Sequence, residues 1–139
     1  MENSYDNEIV FKSFLDERKN KNSPYNLQVK PKMFNLIGDV KGKRILDIGC
    51  GVGDFVKELS LLGAKYVYGI DISQKEIDYA KKENQLSNNS FDILDANNLL
   101  QIKEKFDIVC SSITFDYIEN FEILLSNIYK LLKKSGIIV

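Results

Sequence analysis

The stretch from Arg44 to Asp54, Arg-Ile-Leu-Asp-Ile-Gly-Cys-Gly-Val-Gly-Asp, constrains this chain more than any other. Ile45, Leu46 and Ile48 make the short apolar run of a strand buried on both faces, a pattern of parallel sheets covered by helices. The run stops at Gly49, Gly51 and Gly53. Phe55, Val56, Leu59 and Leu62 then recur at helical spacing, and Gly63 is placed to end the helix. The three glycines therefore occupy a tight strand-to-helix corner. Glycine lets the backbone approach a ligand that a side chain would push away, and the helix behind the corner presents unpaired N–H groups. A corner of this kind predicts an α/β domain with a nucleotide-type ligand.

The spacing of the glycines separates ligands. A dinucleotide corner reads Gly-x-Gly-x-x-Gly, and counted from Gly49 its third glycine position holds Asp54, whose carboxylate would face the pyrophosphate. The pattern present is Asp47-x-Gly49-x-Gly51-x-Gly53. It resembles the first motif of class I S-adenosylmethionine-dependent methyltransferases, whose ligand carries a sulfonium and an amino acid instead of phosphates. By that resemblance Asp47, Gly49, Gly51 and Gly53 border the methionine part of the cofactor, and Cys50 is counted among the cofactor-binding residues with them. A glycine-rich turn with no ligand is the plainer alternative.

With 139 residues the chain is one domain, near the low end for a complete α/β enzyme. Lys and Arg number 19 against 20 Asp and Glu, and no basic stripe stands out, which argues against nucleic acid as the main partner. No apolar stretch of about 18 residues and no leader pattern is present, so a cytoplasmic protein without a membrane span is expected. Cys50 and Cys110 end two predicted strands and read as reduced, small apolar side chains more than as a redox pair. The sequence contains no histidine, which removes the usual general base and the commonest metal ligand, and no metal site is expected.

Along the chain, residues 1–24 form a polar arm in which Tyr5, Ile9, Phe11, Phe14, Leu15 and Arg18 fall near helical spacing. The arm reads equally as a helix covering the core or as a lid over the ligand site. Lys19 to Pro24 reads as a loop, and Pro31 opens a helix that buries Met33, Phe34 and Ile37 and ends at Gly38. Residues 25–139 make up the cofactor domain. A second strand ends at Asp71, about 20 residues past the corner, where Rossmann-like folds place the carboxylate that holds the ribose hydroxyls. A solvated loop carboxylate is the alternative there. Ile72 follows it and is counted with it among the cofactor-binding residues, and Ser73 with Glu76 form a capping box, which is a structural pair. Ser87 to Ser90 reads as a turn, and Phe91 to Leu94 as a third strand ending at Asp95.

Asp95-Ala96 resembles the third motif of the same family, in which the acid accepts a hydrogen bond from the adenine amine. Phe106 to Ser111 is the fourth strand. The segment Ser111-Ser112-Ile113-Thr114-Phe115-Asp116-Tyr117 resembles the fourth-motif loop of small-molecule methyltransferases, with Asp116 where a histidine is common. Ser111 and Ser112 would flank the methionine end, and Asp116 is a candidate base if burial raises its pKa, with an exposed loop carboxylate the plainer reading. Asn120 caps a helix carrying Phe121, Leu124, Leu125, Ile128, Leu131 and Leu132, with Lys130, Lys133 and Lys134 at its C-terminal end and Gly136 closing it. Ile137 to Val139 begin a fifth strand.

The resemblance runs from about Asn22 to Val139. It implies a Rossmann-like three-layer sandwich with a mostly parallel sheet of order 3-2-1-4-5, C-terminally truncated relative to the family's seven strands. It further implies S-adenosyl-L-methionine as cofactor, a small-molecule acceptor and in-line methyl transfer. The alternatives are a non-catalytic cofactor-binding or partner-binding fragment of a split methyltransferase, and a nicotinamide-dependent oxidoreductase. An exposed fifth strand would invite a second copy or a partner chain to pair along that edge.

Overall fold

The computed structural model describes residues 3–112 and 118–139. Five parallel strands form one sheet: β1 (Arg44–Ile48), β2 (Tyr66–Asp71), β3 (Asn89–Ile93), β4 (Phe106–Cys110) and β5 (Leu132–Ile138). Their spatial order is β3-β2-β1-β4-β5, as the resemblance implies. Two helices, α1 (Glu8–Lys19) and α2 (Lys30–Ile37), precede the sheet, and α3 (Asp54–Leu61), α4 (Gln74–Glu83) and α5 (Phe121–Leu131) run between its strands.

The central strands β1 and β4 are buried over most of their length because both faces of the sheet are covered there. Successive side chains point to opposite faces, so Ile45 joins Val67, Phe91 and Ile108 against Phe55, Val56 and Leu59 of α3 and Ile77 and Ala80 of α4. Leu46 and Ile48 face the other way with Ile70, Phe106 and Val109, against Leu99, Ile102 and the Leu124, Ile128 and Leu131 face of α5. Each fully buried side chain of this size is worth about 1.5–3 kcal/mol. The sheet closes tightly at Gly69, where an added Cβ would stand 2.9 Å from both the Cys50 Sγ and the Phe91 ring.

Three local expectations are corrected. β3 starts at Asn89 instead of Phe91, because the expected 87–90 turn supplies amides that finish neighbouring elements. Asn88 Nδ2 donates to the carbonyls of Ser60 (3.0 Å) and Ala64 (2.9 Å), and Asn89 Nδ2 donates to Ser60 Oγ (3.1 Å) and the Asn84 carbonyl (3.2 Å). At the other end α5 stops at Leu131, so Lys133, Lys134 and Gly136 lie in β5 and not in a helix terminus. Pairing jumps there from Phe106 with Leu132 to Ile108 with Ile137, an irregularity that puts Ser135 at φ +70°. Gly136 serves close approach: a Cβ would lie 2.9 Å from the Lys133 carbonyl oxygen and 3.2 Å from that of Asp107. Lys133 is free of the helix dipole and pairs with Asp107 Oδ2 at 3.2 Å.

In the arm, the loop shortens to a turn, because the chain is already helical at Pro24 and makes a wide turn over Tyr25–Val29 in which the Lys30 N–H reaches the Tyr25 carbonyl. Asn26 Nδ2 ties this turn back to the end of α1 through the carbonyls of Arg18 (2.9 Å) and Asn20 (2.8 Å). Among the described residues no helix is long and apolar enough to cross a membrane.

Candidate functional site

The site grows from the end of β1. Where the strand stops, the N–H groups of Gly49 and Cys50 both donate to the Ile70 carbonyl at 2.8 and 3.0 Å, fixing the glycine corner to the end of β2. One residue further, the Gly51 N–H donates to Asp71 Oδ2 at 2.9 Å, while Asp71 Oδ1 accepts the Ser73 N–H at 3.0 Å. Asp71 thus braces the corner against the start of α4. Burial pushes its carboxyl up, and the Ser73, Gly51 and Ile72 N–H groups pull it back down. The corner then enters α3 through Gly53 at φ +79°.

Above these strand ends lies a cavity of about 330 Å³. Of the residues expected at the site, Gly49, Gly51, Asp71, Ile72, Asp95, Ala96 and Ser112 line it. Asp95 is exposed and spends Oδ1 on the backbone and side-chain amides of Asn97, both at 2.8 Å. Asp47, Cys50, Gly53 and Ser111 stand behind the described lining. Asp47 points along the α3 face of the sheet, where only 4% of it is exposed and the Cys110 thiol donates to Oδ1 at 3.7 Å. The Cys50 side chain packs on Gly69, Gly53 backs onto Phe91, and Ser111 Oγ donates to the Ile48 carbonyl at 2.8 Å. Asp116 lies outside the described residues.

The other wall comes from the arm. Tyr5, Phe14, Glu17 and Arg18 face the cavity. Arg18 is the side chain that spacing could not single out: only 8% exposed, its guanidinium lies 3.3 Å from the centre of the Tyr25 ring and 4.7 Å from that of Phe14, with Asp54 at 3.5 Å. Asp54, the residue that spoils a dinucleotide corner, also pairs with Lys30 at 3.2 Å. Asp6 clasps the arm to α4, accepting from Ser73 Oγ (2.7 Å) and the Lys75 N–H (3.2 Å). Burial is the main cause that pushes the Tyr25 hydroxyl up to about 12.

The capping box is only half formed. Ser73 Oγ accepts the Glu76 N–H at 3.2 Å, but the Ser73 N–H is taken by Asp71, so the Glu76 carboxyl turns into the cavity instead of back to the cap. Burial pushes it up to about 8, with Asp71 adding to the rise and Arg18 opposing it. Asp47 is pushed up to about 7 by burial, against Arg18 and the Cys110 thiol. In the unfolded chain both acids return to ordinary values, so from about pH 4 to pH 8 the folded protein holds more protons than the unfolded one. Stability of the unliganded chain is therefore expected to fall as pH rises through that window, by about 1.4 kcal/mol per pH unit for each group carrying the difference, and to level off above it. Urea melts at pH 5 and pH 8 measure the trend, and Asp47→Asn should remove its share. A midpoint that climbs between those values would contradict it.

A second depression, about 400 Å³, opens beside β3 between Tyr66, Tyr68, Asp92 and Glu104, and it contains none of the corner residues. The chemistry gathers in the first.

Comparison with known proteins agrees with this geometry. A family model described as a methyltransferase domain matches residues 39–139. A protein of Haemophilus influenzae is 35% identical over 97% of this chain, and a ubiquinone biosynthesis O-methyltransferase of Pelagibacter ubique is 34% identical over 70% of it. The crystal structure of an S-adenosylmethionine-dependent methyltransferase from Mesorhizobium loti superposes with a TM-score of 0.73 at 29% identity, over 78% of this chain and 50% of that one. The chain spans about half the length of the curated relatives it matches, 56% of the first and 41% of the second. With the glycine corner, the strand order and the matched span in agreement, the chain belongs to the methyltransferase domain family, the Rossmann-like class I of S-adenosylmethionine-dependent methyltransferases.

Proposed function

We propose that this chain binds S-adenosyl-L-methionine in the 330 Å³ cavity and transfers its methyl group to a small-molecule acceptor. The observation that carries the reading is the chemistry of the lining. Glu17, Asp71, Glu76 and Asp95 are acidic, and Arg18 is the one cation among the described lining side chains. Ile72 is apolar yet 44% exposed at the cavity wall. A ligand with hydroxyls, an ammonium, a sulfonium, one carboxylate and a flat base fits that set.

In this assignment Asp71 takes the ribose, Ile72 and Ala96 pack on adenine, and Asp95 offers its second oxygen to the adenine amine. Gly49 and Gly51 admit the methionine chain and Arg18 pairs with its carboxylate. Ser112 flanks the same end, while Asp47, Cys50, Gly53 and Ser111 hold the corner's shape from behind. When bound, the cofactor supplies an activated methyl group open to in-line displacement. The protein's part is to hold the acceptor in line and exclude water. The arm 1–24 serves as the lid of the domain 25–139, since Asp6 and Arg18 fasten it to α4 and α3. No histidine is present to take the acceptor's proton, which favours acceptors that lose it readily. The two unpaired buried thiols, Cys50 and Cys110, suit a reducing, cytoplasmic setting. Along the outer edge of β5, where Ile137 and Ile138 are exposed, a second copy or partner chain would pair.

Thermal unfolding with S-adenosylmethionine, S-adenosylhomocysteine and NAD tests the reading. A true ligand at about 100 times its dissociation constant adds about 2.7 kcal/mol, so the first two should raise the midpoint and NAD should not. Stabilisation by NAD alone would reverse the assignment. The chain spans about half of its curated relatives, so binding without methyl transfer to any of a panel of small acceptors would mark it as the cofactor-binding part of a larger enzyme.

A further inference from the structure

Glu76 is the feature of the cavity that the family motifs leave unexplained. Only 3% of it is exposed, it lines the cavity, and its Oε1 is buried with no hydrogen-bond partner among the described residues. A buried carboxyl without a partner costs stability, and a fold keeps one where something outside the chain completes it. Its surroundings say what that is. An added Cβ on Gly51 would stand 3.2 Å from Glu76 Oε2 and 3.0 Å from the Phe14 ring, so the carboxyl is wedged between the glycine corner and the arm. Gly51 is also the residue whose N–H is held by Asp71. The two carboxyls therefore address the same spot, one from the end of β2 and one from the first turn of α4.

Asp71 has already committed each oxygen to a backbone N–H, from Gly51 and from Ser73. A vicinal diol placed there presents two hydroxyls, each able to donate and to accept, and two donors are better matched by two carboxyls than by one. At neutral pH the raised Glu76 carboxyl carries a proton for much of the time, so it can donate to one hydroxyl oxygen or accept from its hydrogen. The charged and titratable groups acting on it are Asp71 from β2, Asp6 from the arm's first turn and Arg18 from α1.

We infer that Glu76 is a second ribose-binding residue, its free Oε1 taking a hydroxyl of the bound cofactor beside Asp71. The inference rests on the cavity being the S-adenosylmethionine site.

The test is calorimetric titration of the wild-type chain, Glu76→Ala and Glu76→Gln with S-adenosylhomocysteine and its 2′-deoxy and 3′-deoxy analogues, together with urea melts without ligand. Wild type should bind the parent compound more tightly than either analogue. Glu76→Ala should lose about tenfold or more in affinity for the parent, and for one deoxy analogue the difference from the parent should nearly vanish. Glu76→Gln, which keeps an acceptor, should fall between. Both variants without ligand should unfold at the wild-type midpoint or above it, which separates a ligand contact from a packing role. Parent binding by Glu76→Ala within about twofold of wild type overturns the inference and leaves the cofactor assignment standing. Equal losses for all three ligands in a destabilised variant also overturn it. If wild type binds none of the three, the cofactor assignment fails and the inference falls with it.

Discussion

Gly53→Ala is expected to cost about 3 kcal/mol or more of folding stability. Two penalties combine there. The backbone sits at φ +79°, a conformation in which a side chain costs on the order of 1–2 kcal/mol. The new Cβ would also lie 2.6 Å from Phe91 Cε1 and 2.9 Å from the Ala80 Cβ. Phe91 has little room to yield, since it is fully buried and its adjacent Cδ1 already faces Gly69. Gly42→Ala is the internal control. Its φ of +70° is similar, but nothing lies within 4 Å of the added atom, so it should show the backbone penalty alone. Urea unfolding of the two variants measures the difference directly. Equal losses would mean that the Phe91 contact relaxes and that the corner is less tightly packed than described.

Asp71→Ala is expected to weaken binding of S-adenosylmethionine and S-adenosylhomocysteine alike, by about 100-fold, on the order of 2.7 kcal/mol. Two things are lost together. One is an acceptor for the ribose. The other is the brace that holds the Gly51 and Ser73 N–H groups, and losing acceptors for buried donors costs about 1–3 kcal/mol each. Stability should therefore drop while the fold persists. Urea melts without ligand report the brace, and calorimetry with S-adenosylhomocysteine on the folded variant reports the binding. Unchanged affinity in a folded Asp71→Ala would remove the residue from the site, and with it the main support for an adenosine ligand.

The glycine corner itself is legible in the sequence. Short-range chemistry made it legible: apolar residues at Ile45, Leu46 and Ile48 demand cover on two faces, and glycines at alternate positions demand a turn. Strand order came with the resemblance to class I methyltransferases that the motifs carry, and the sheet shows it. Element ends answer to tertiary contacts instead. Lys133, Lys134 and Gly136 look like the end of a helix when only α5 is considered, yet pairing with β4 draws them into a strand. Asn88 and Asn89 look like turn residues until their amides are seen finishing α3 and α4.

The site divides along the same line. Sequence by itself determined the strand-glycine-helix corner, the place of Asp71 at the end of a strand and the absence of histidine, because each depends on residue type and on spacing within one or two elements. Only the tertiary structure decided which of those residues face the cavity. It set Asp47 behind the sheet with Cys110, released Glu76 from its cap, and brought Arg18 from the arm to Tyr25 and Asp54. The physical reason is range. A cap or a turn competes within a few residues, whereas the surroundings of a buried carboxyl such as Glu76 include Arg18 and Gly51, whose distance along the chain carries no periodic signal.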